Sequence, residues 1–124
     1  MKSSDYIKQA LNTESQDTKG IKKRLCNTHR ILHAAIGAST EAAELLDQLK
    51  KHIYYGRELN KLNLFEETGD LLWYLATLAD ELGFDFEDAM KKNLEKLKAR
   101  YGDKFTTEKA INRDLDEELK SLSS

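Results

Sequence analysis

Apolar residues recur at spacings of three and four along most of this chain, which is the pattern of helices with one buried face. The longest such run extends from about Thr18 to Tyr55. Gly56 and Gly83 each follow the end of a run, where glycine commonly stops a helix. No stretch alternates like a strand, so the pattern predicts an all-α bundle of four to five helices. We expect these helices at about residues 18–55, 62–82, 86–101 and 107–122, after a short amphipathic segment within residues 1–15.

The first long helix has two different faces. Its apolar stripe consists of Ile21, Leu25, Thr28, Leu32, Ala35, Ser39, Ala42, Leu46, Leu49 and Ile53. The opposite face is polar and, at 100° per residue, spans a sector of about 80°. It consists of His33, Gly37, Glu41, Glu44, Gln48 and Lys51. Glycine inside a helix costs about 1 kcal/mol relative to alanine, so Gly37 either clears space for a ligand or admits a neighbouring helix. A break in the helix between Gly37 and Thr40 is a further alternative.

Two pairs of carboxylates are the candidate chemistry. Glu41 and Glu44 lie three residues apart on the first long helix, and Glu67 and Asp70 repeat that spacing on the second. Residues three apart share a helix face, so two packed helices would bring four carboxylates together. Such a cluster repels itself unless a cation lies within it, and Mg²⁺ or Mn²⁺ prefers oxygen ligands. The spacing therefore predicts a divalent metal site.

The acidic pairs could be solvated surfaces of a helical interaction module that is not an enzyme. A di-iron bundle would need Glu-x-x-His pairs, and none of the three histidines has a glutamate three residues earlier.

On the next helix, Asn93, Lys96 and Arg100 share a face that could bind phosphate groups. The third main helix should bury its own apolar residues, among them Phe86, Met90 and Leu94.

Composition limits the class of protein. The 124 residues suffice for one domain with a modest core, and we expect residues 1–124 to form a single domain. The net charge of −2 argues against a protein that binds nucleic-acid polymers. No apolar run is long enough to cross a membrane, so we expect no membrane partner and a cytoplasmic location. The single cysteine, Cys26, cannot form an intrachain disulfide and should be a small buried apolar residue.

The order of the two acidic pairs resembles the signature of MazG-type all-α nucleoside triphosphate pyrophosphohydrolases. The resemblance extends over residues 31–46 (ILHAAIGASTEAAELL), 64–75 (LFEETGDLLWYL) and 93–105 (NLEKLKARYGDKF). The closing INRDLDEE from Ile111 is similar to the short members of phages and mobile elements. Together these segments cover roughly residues 28–118. Gly102 stands where members often carry proline, which should alter only a turn.

The resemblance implies hydrolysis of a nucleoside or deoxynucleoside triphosphate between the α and β phosphates. Mg²⁺, with Mn²⁺ as an alternative, would be held by the four carboxylates, and Glu41 or Glu44 would activate the attacking water. Members form dimers or dimers of dimers, so a homodimer or homotetramer is expected. A related enzyme acting on phosphoribosyl-ATP is the second enzymatic alternative. The residues expected to contact substrate are His33, Lys51, Trp73, Asn93, Lys96 and Arg100.

Overall fold

The structure is a computed structural model that describes residues 1–124. It contains six helices and no strand, which confirms the all-α prediction. The helices are α1 (Ser3–Leu11), α2 (Thr18–Tyr55), α3 (Lys61–Leu82), α4 (Phe86–Tyr101), α5 (Thr107–Ile111) and α6 (Leu115–Ser123). None of these helices is both long enough and apolar enough to cross a membrane.

The two long helices form a hairpin whose ends follow from local sequence. The Asp17 side chain accepts a hydrogen bond from the Gly20 backbone amide and begins α2. Gly56 ends α2 in the left-handed conformation, at φ 66°, which a side chain would disfavour. Asn60 then caps α3 through the backbone amide of Asn63. The short connection between the helices makes them antiparallel, so the polar face of α2 meets the middle of α3.

The α2 helix runs without a break through Gly37 and Thr40, so the alternative of two shorter helices is wrong. The prediction of a single last helix is also wrong, because the structure divides this segment into two helices, α5 and α6. The Asp114 side chain accepts a hydrogen bond from the Glu117 backbone amide and begins α6 as a separate helix. The bundle therefore has six helices rather than four to five.

The C-terminal half packs as a second group, in which α4 contacts α5 and α6. Glu118 of α6 is buried between two arginines. Its carboxylate accepts hydrogen bonds from Arg100 Nε at 2.7 Å and Arg100 Nη2 at 2.9 Å. The Arg113 guanidinium donates to the same two oxygens from the loop before α6. These ionic contacts of Glu118 with Arg100 and Arg113 hold α6 against α4.

Only five of the 124 residues are buried in the single chain. Its accessible surface is 10326 Å², whereas a compact protein of this mass exposes about 6,800 Å². The prediction that α4 buries Phe86, Met90 and Leu94 is wrong for the single chain, since all three are exposed. Cys26 is exposed as well, contrary to expectation. The apolar stripe of α2 also points away from α3, with Leu46 66 % and Ile53 65 % exposed.

Candidate metal centre

Three carboxylates meet where α2 crosses α3. Glu41 of α2 and both Glu67 and Asp70 of α3 each offer one oxygen, and these oxygens lie within 4.8 Å of one another. Glu67 is buried, Glu41 is half-buried and Asp70 is exposed, so the cluster opens to solvent on one side. The structure therefore brings together acidic residues that are far apart in sequence.

Glu44, the fourth predicted ligand, lies outside this group of three oxygens. It is one helical turn after Glu41 and exposed. Its carboxyl group is nevertheless close to that of Glu67, and this contact is the main reason that the pKa of Glu44 is raised above its usual range. Glu44 thus borders the cluster without sharing its centre.

Crowding of like charges shapes the electrostatics of the cluster. The pKa of Glu41 is raised, first by desolvation and then by the neighbouring Glu67 carboxyl group. Both effects oppose the charged form, and a cation among the oxygens would relieve them. Three carboxylate oxygens at this separation are the hard donor set that Mg²⁺ and Mn²⁺ prefer. The residues present therefore fit a divalent metal ion.

An asparagine supports the buried member of the cluster. Asn63, one turn before Glu67 on α3, donates a hydrogen bond from Nδ2 to Glu67 Oε1 at 2.8 Å. Sequence reasoning missed this residue. A signal was available, because Asn63 stands four residues before Glu67, and residues four apart in a helix contact each other.

An aromatic group adjoins the cluster. The Tyr74 ring lies against Gly37, where an added Cβ would overlap it. Gly37 thus admits a neighbouring helix, one of its two predicted explanations. The His33 ring packs edge to face on Tyr74 with centroids 5.8 Å apart, and the Trp73 ring does so at 5.0 Å. Two predicted substrate contacts, His33 and Trp73, therefore flank one tyrosine.

The other residues predicted to contact substrate, three basic residues and one asparagine, are more dispersed. Lys51 Nζ pairs with Asp47 Oδ2 at 2.6 Å on the same helix, and this contact lowers the pKa of Asp47. Arg100 is paired with Glu118. Lys96 is half-buried and makes no ion pair. Asn93 shares a shallow apolar recess between α3 and α4 with Leu72, Leu75, Phe86, Ala89 and Met90.

One family model matches this chain. The MazG nucleotide pyrophosphohydrolase domain matches residues 28–105, which is more than half of the sequence. The matched residues include the three-carboxylate cluster, the aromatic group and all of α4. The closing segment from Ile111 lies outside them. No curated protein and no solved structure matches the chain.

Proposed function

Since the chain belongs to the MazG nucleotide pyrophosphohydrolase family and is therefore a hydrolase, we propose that it cleaves nucleoside triphosphates between the α and β phosphates. The substrate would be a ribo- or deoxyribonucleoside triphosphate, and the products its monophosphate and pyrophosphate. The reaction would depend on Mg²⁺, with Mn²⁺ as a substitute. The observation that carries this proposal is the group of three carboxylate oxygens within 4.8 Å at the crossing of α2 and α3.

In the proposed site, Glu41, Glu67 and Asp70 bind the cation. When bound, Mg²⁺ neutralises charge on the triphosphate and stabilises the charge that develops as the bond breaks. The chain itself fixes where the triphosphate lies, because the three ligands come from two helices that are packed against each other. A fixed orientation of this kind accounts for much of the rate gain in phosphoryl transfer.

Glu44 is our candidate for the group that accepts a proton from the attacking water. It stands beside the cluster but outside its centre and is exposed, so water can reach its carboxylate. The water oxygen forms a bond to phosphorus as the α–β anhydride bond breaks. One water proton passes to Glu44, and the bridging oxygen leaves with pyrophosphate or stays with the monophosphate, according to which phosphorus is attacked.

Beyond the cluster, the proposed substrate contacts lie on α2, α3 and α4. Asn93 and Lys96 are the proposed phosphate contacts on α4, and Lys51 can serve if it exchanges Asp47 for a phosphate oxygen. Arg100 would need to leave Glu118 to do the same. His33 and Trp73 are the proposed contacts to the base or sugar, since aromatic rings offer faces on which a base can stack.

We further propose that the working molecule is a homodimer or homotetramer. The single chain exposes about 3,500 Å² more than a compact protein of its mass. The apolar stripe of α2 alternates spacings of four and three from Ile21 to Ile53, which is the repeat of a helix that pairs along its length. A second copy supplies a face of matching character, and we also assign residues 1–124 to one domain of that assembly.

A pyrophosphate-release assay tests the function. With Mg²⁺ and a panel of nucleoside and deoxynucleoside triphosphates, plus phosphoribosyl-ATP, we expect release of pyrophosphate from at least one triphosphate. Glu67→Gln and Asp70→Asn should each reduce turnover by at least about 100-fold, since each removes a charged ligand of the metal. Glu66→Gln is the matched control, because Glu66 is exposed and makes no ion pair.

The outcomes separate the possibilities. Activity on phosphoribosyl-ATP alone would overturn the substrate assignment but keep the metal site. Near-normal turnover in Glu67→Gln or Asp70→Asn would overturn the site itself. If no member of the panel releases pyrophosphate with Mg²⁺ or Mn²⁺, the proposed reaction is wrong.

A further inference from the structure

The strongest unexplained feature beside the metal cluster is the side chain of Asn63. Its amide nitrogen donates to Glu67 Oε1 at 2.8 Å, and this is the hydrogen bond that the structure gives to the Glu67 carboxylate. Glu67 is the most enclosed of the three ligands, with 6 % of its surface exposed. A carboxylate with so little access to water needs a donor from the protein, and Asn63 supplies it. The orientation of Glu67 therefore depends on Asn63.

The other end of the same amide is not satisfied. Asn63 Oδ1 is buried and has no hydrogen-bond partner. Turning the amide over would not help, because it would place Oδ1 against the Glu67 carboxylate oxygen. A buried acceptor without a partner costs folding free energy. A leucine, which has almost the same shape, would avoid that cost but would leave the Glu67 carboxylate without its donor. What the asparagine side chain achieves here is therefore its hydrogen bond to Glu67.

Helix initiation does not explain the asparagine. At the start of α3 the capping side chain is Asn60, whose Oδ1 accepts from the backbone amide of Asn63. Residue 63 contributes only its backbone to that cap, and any residue other than proline would do the same. The side chain of Asn63 thus has one satisfied interaction, and it is with a proposed metal ligand.

We propose that Asn63 is a positioning residue for the metal site, and that its amide holds the Glu67 carboxylate in the orientation that faces Glu41 and Asp70. This inference rests on the proposed function, since it takes Glu67 to be a metal ligand. Donation to Oε1 leaves Oε2 available to a cation. Hydrogen bonds of this kind to a ligating carboxylate fix its direction and raise metal affinity.

The test is Mn²⁺ binding to the full chain without nucleotide, followed through the electron paramagnetic resonance signal of free Mn²⁺. Asn63→Leu removes the donor and the unsatisfied acceptor together. We expect Mn²⁺ affinity to fall about 10- to 100-fold. The melting temperature of the metal-free protein should change little, because loss of the donor to Glu67 is offset by removal of the unsatisfied Oδ1. Asn63→Ala should give the same loss of affinity without the bulk of leucine.

Asn27→Leu is the matched control, because Asn27 is an exposed asparagine of α2 that makes no side-chain hydrogen bond. It should bind Mn²⁺ like the original chain. If the original chain binds Mn²⁺ and Asn63→Leu does so within twofold, the positioning role is wrong while the metal site stands. A clear drop in the metal-free melting temperature of both Asn63 variants would assign the residue to the fold instead. No saturable Mn²⁺ binding by the original chain would overturn the metal site and this inference together.

Discussion

Gly37 and Tyr74 meet one helical turn away from the acidic cluster on both helices. Gly37 is four residues before Glu41, and Tyr74 is four residues after Asp70. At 1.5 Å per residue, the contact lies about 6 Å along the helix axes from the carboxylates. Because Gly37 is buried under the tyrosine ring, this contact sets how closely α2 and α3 approach beside the cluster.

Gly37→Ala should therefore impair both stability and metal-dependent activity. The new Cβ would overlap the Tyr74 ring, and overpacking of this kind costs about 1–3 kcal/mol. A displacement of about 1 Å between catalytic groups can reduce the rate roughly 100-fold. Thermal melting and Mg²⁺ titration of the pyrophosphate-release rate measure the two effects.

The chain offers a matched glycine as a control. Gly69 is also inside a helix and adjoins Asp70, but a Cβ added there would meet nothing within 4 Å. Gly69→Ala should stabilise the protein by about 0.5–1 kcal/mol, because alanine is the better helix former. Equal behaviour of the two variants would contradict the role assigned to the Gly37 contact.

Helical periodicity predicted which face of a helix these side chains occupy, but not which residues of the neighbouring helix they contact. Helical periodicity placed Gly37, Glu41 and Glu44 on one face of α2, and the structure has that face against α3. The choice between a ligand and a neighbouring helix at Gly37 needed the position of Tyr74, which depends on how the hairpin closes. Asn63 was overlooked because its one signal, the spacing of four residues from Glu67, is shared by many helical pairs that make no such hydrogen bond.

At the scale of the elements, α6 is attached to α4 through a charged group. Glu118 is the only residue of α6 that is buried, and its carboxylate is shared by Arg100 of α4 and Arg113 of the preceding loop. Hydrogen bonds from the two guanidinium groups lower the pKa of Glu118 far below its usual value of about 4.5. The same contacts raise the pKa of Arg100, so all three groups stay charged at neutral pH.

This ion pair predicts a pH-dependent contribution to stability. A carboxyl group with a lowered folded-state pKa stabilises the fold above its unfolded pKa, and that contribution declines as the pH falls towards the folded value. Glu118→Gln should lower the melting temperature by several degrees at neutral pH. The difference from the original chain should then narrow as the pH falls below about 4.5.

Glu117→Gln is the control for that experiment. Glu117 is the exposed neighbour of Glu118 and pairs only with Lys120, in the same helix. Its replacement should change the melting temperature little at any pH, as is usual for exposed pairs. A Glu118→Gln variant that melts like Glu117→Gln throughout would show that α6 is held by other contacts.

Sequence periodicity predicted where the long helices lie because each carries enough turns for its apolar stripe to emerge. It did not predict the break between α5 and α6, since Asn112–Asp114 interrupts the stripe too briefly to show. Helical periodicity also placed Arg100 on one face with Asn93 and Lys96, and Arg100 was therefore predicted to contact the substrate. Its partner Glu118 is 18 residues away in sequence, and helical periodicity does not indicate which residue of another helix will oppose it.

At the scale of the whole molecule, most of the large apolar side chains remain exposed in the single chain. The α2–α3 hairpin closes through small, acidic and aromatic side chains, and its two buried alanines are Ala34 and Ala79. The larger apolar residues of α2 face outward along one line. Burying apolar surface contributes about 25 cal/mol per Å², so an exposed stripe of this length strongly favours association. The acidic face holds the proposed site, and the apolar face is the proposed contact with a second copy.

Sedimentation of full-length protein tests that assembly. At micromolar concentration we expect a species of twice or four times the chain mass of 14.2 kDa. Leu46→Lys places a charge on the outward stripe of α2, where Leu46 is 66 % exposed in the single chain. It should shift the protein towards monomer and lower its melting temperature, since burying an unpaired charge is costly. Asn27→Lys introduces the same charge on the same helix away from the stripe and should leave the assembly intact. A stable monomer in the original chain, or equal association of both variants, would mean that α2 does not pair with a second copy.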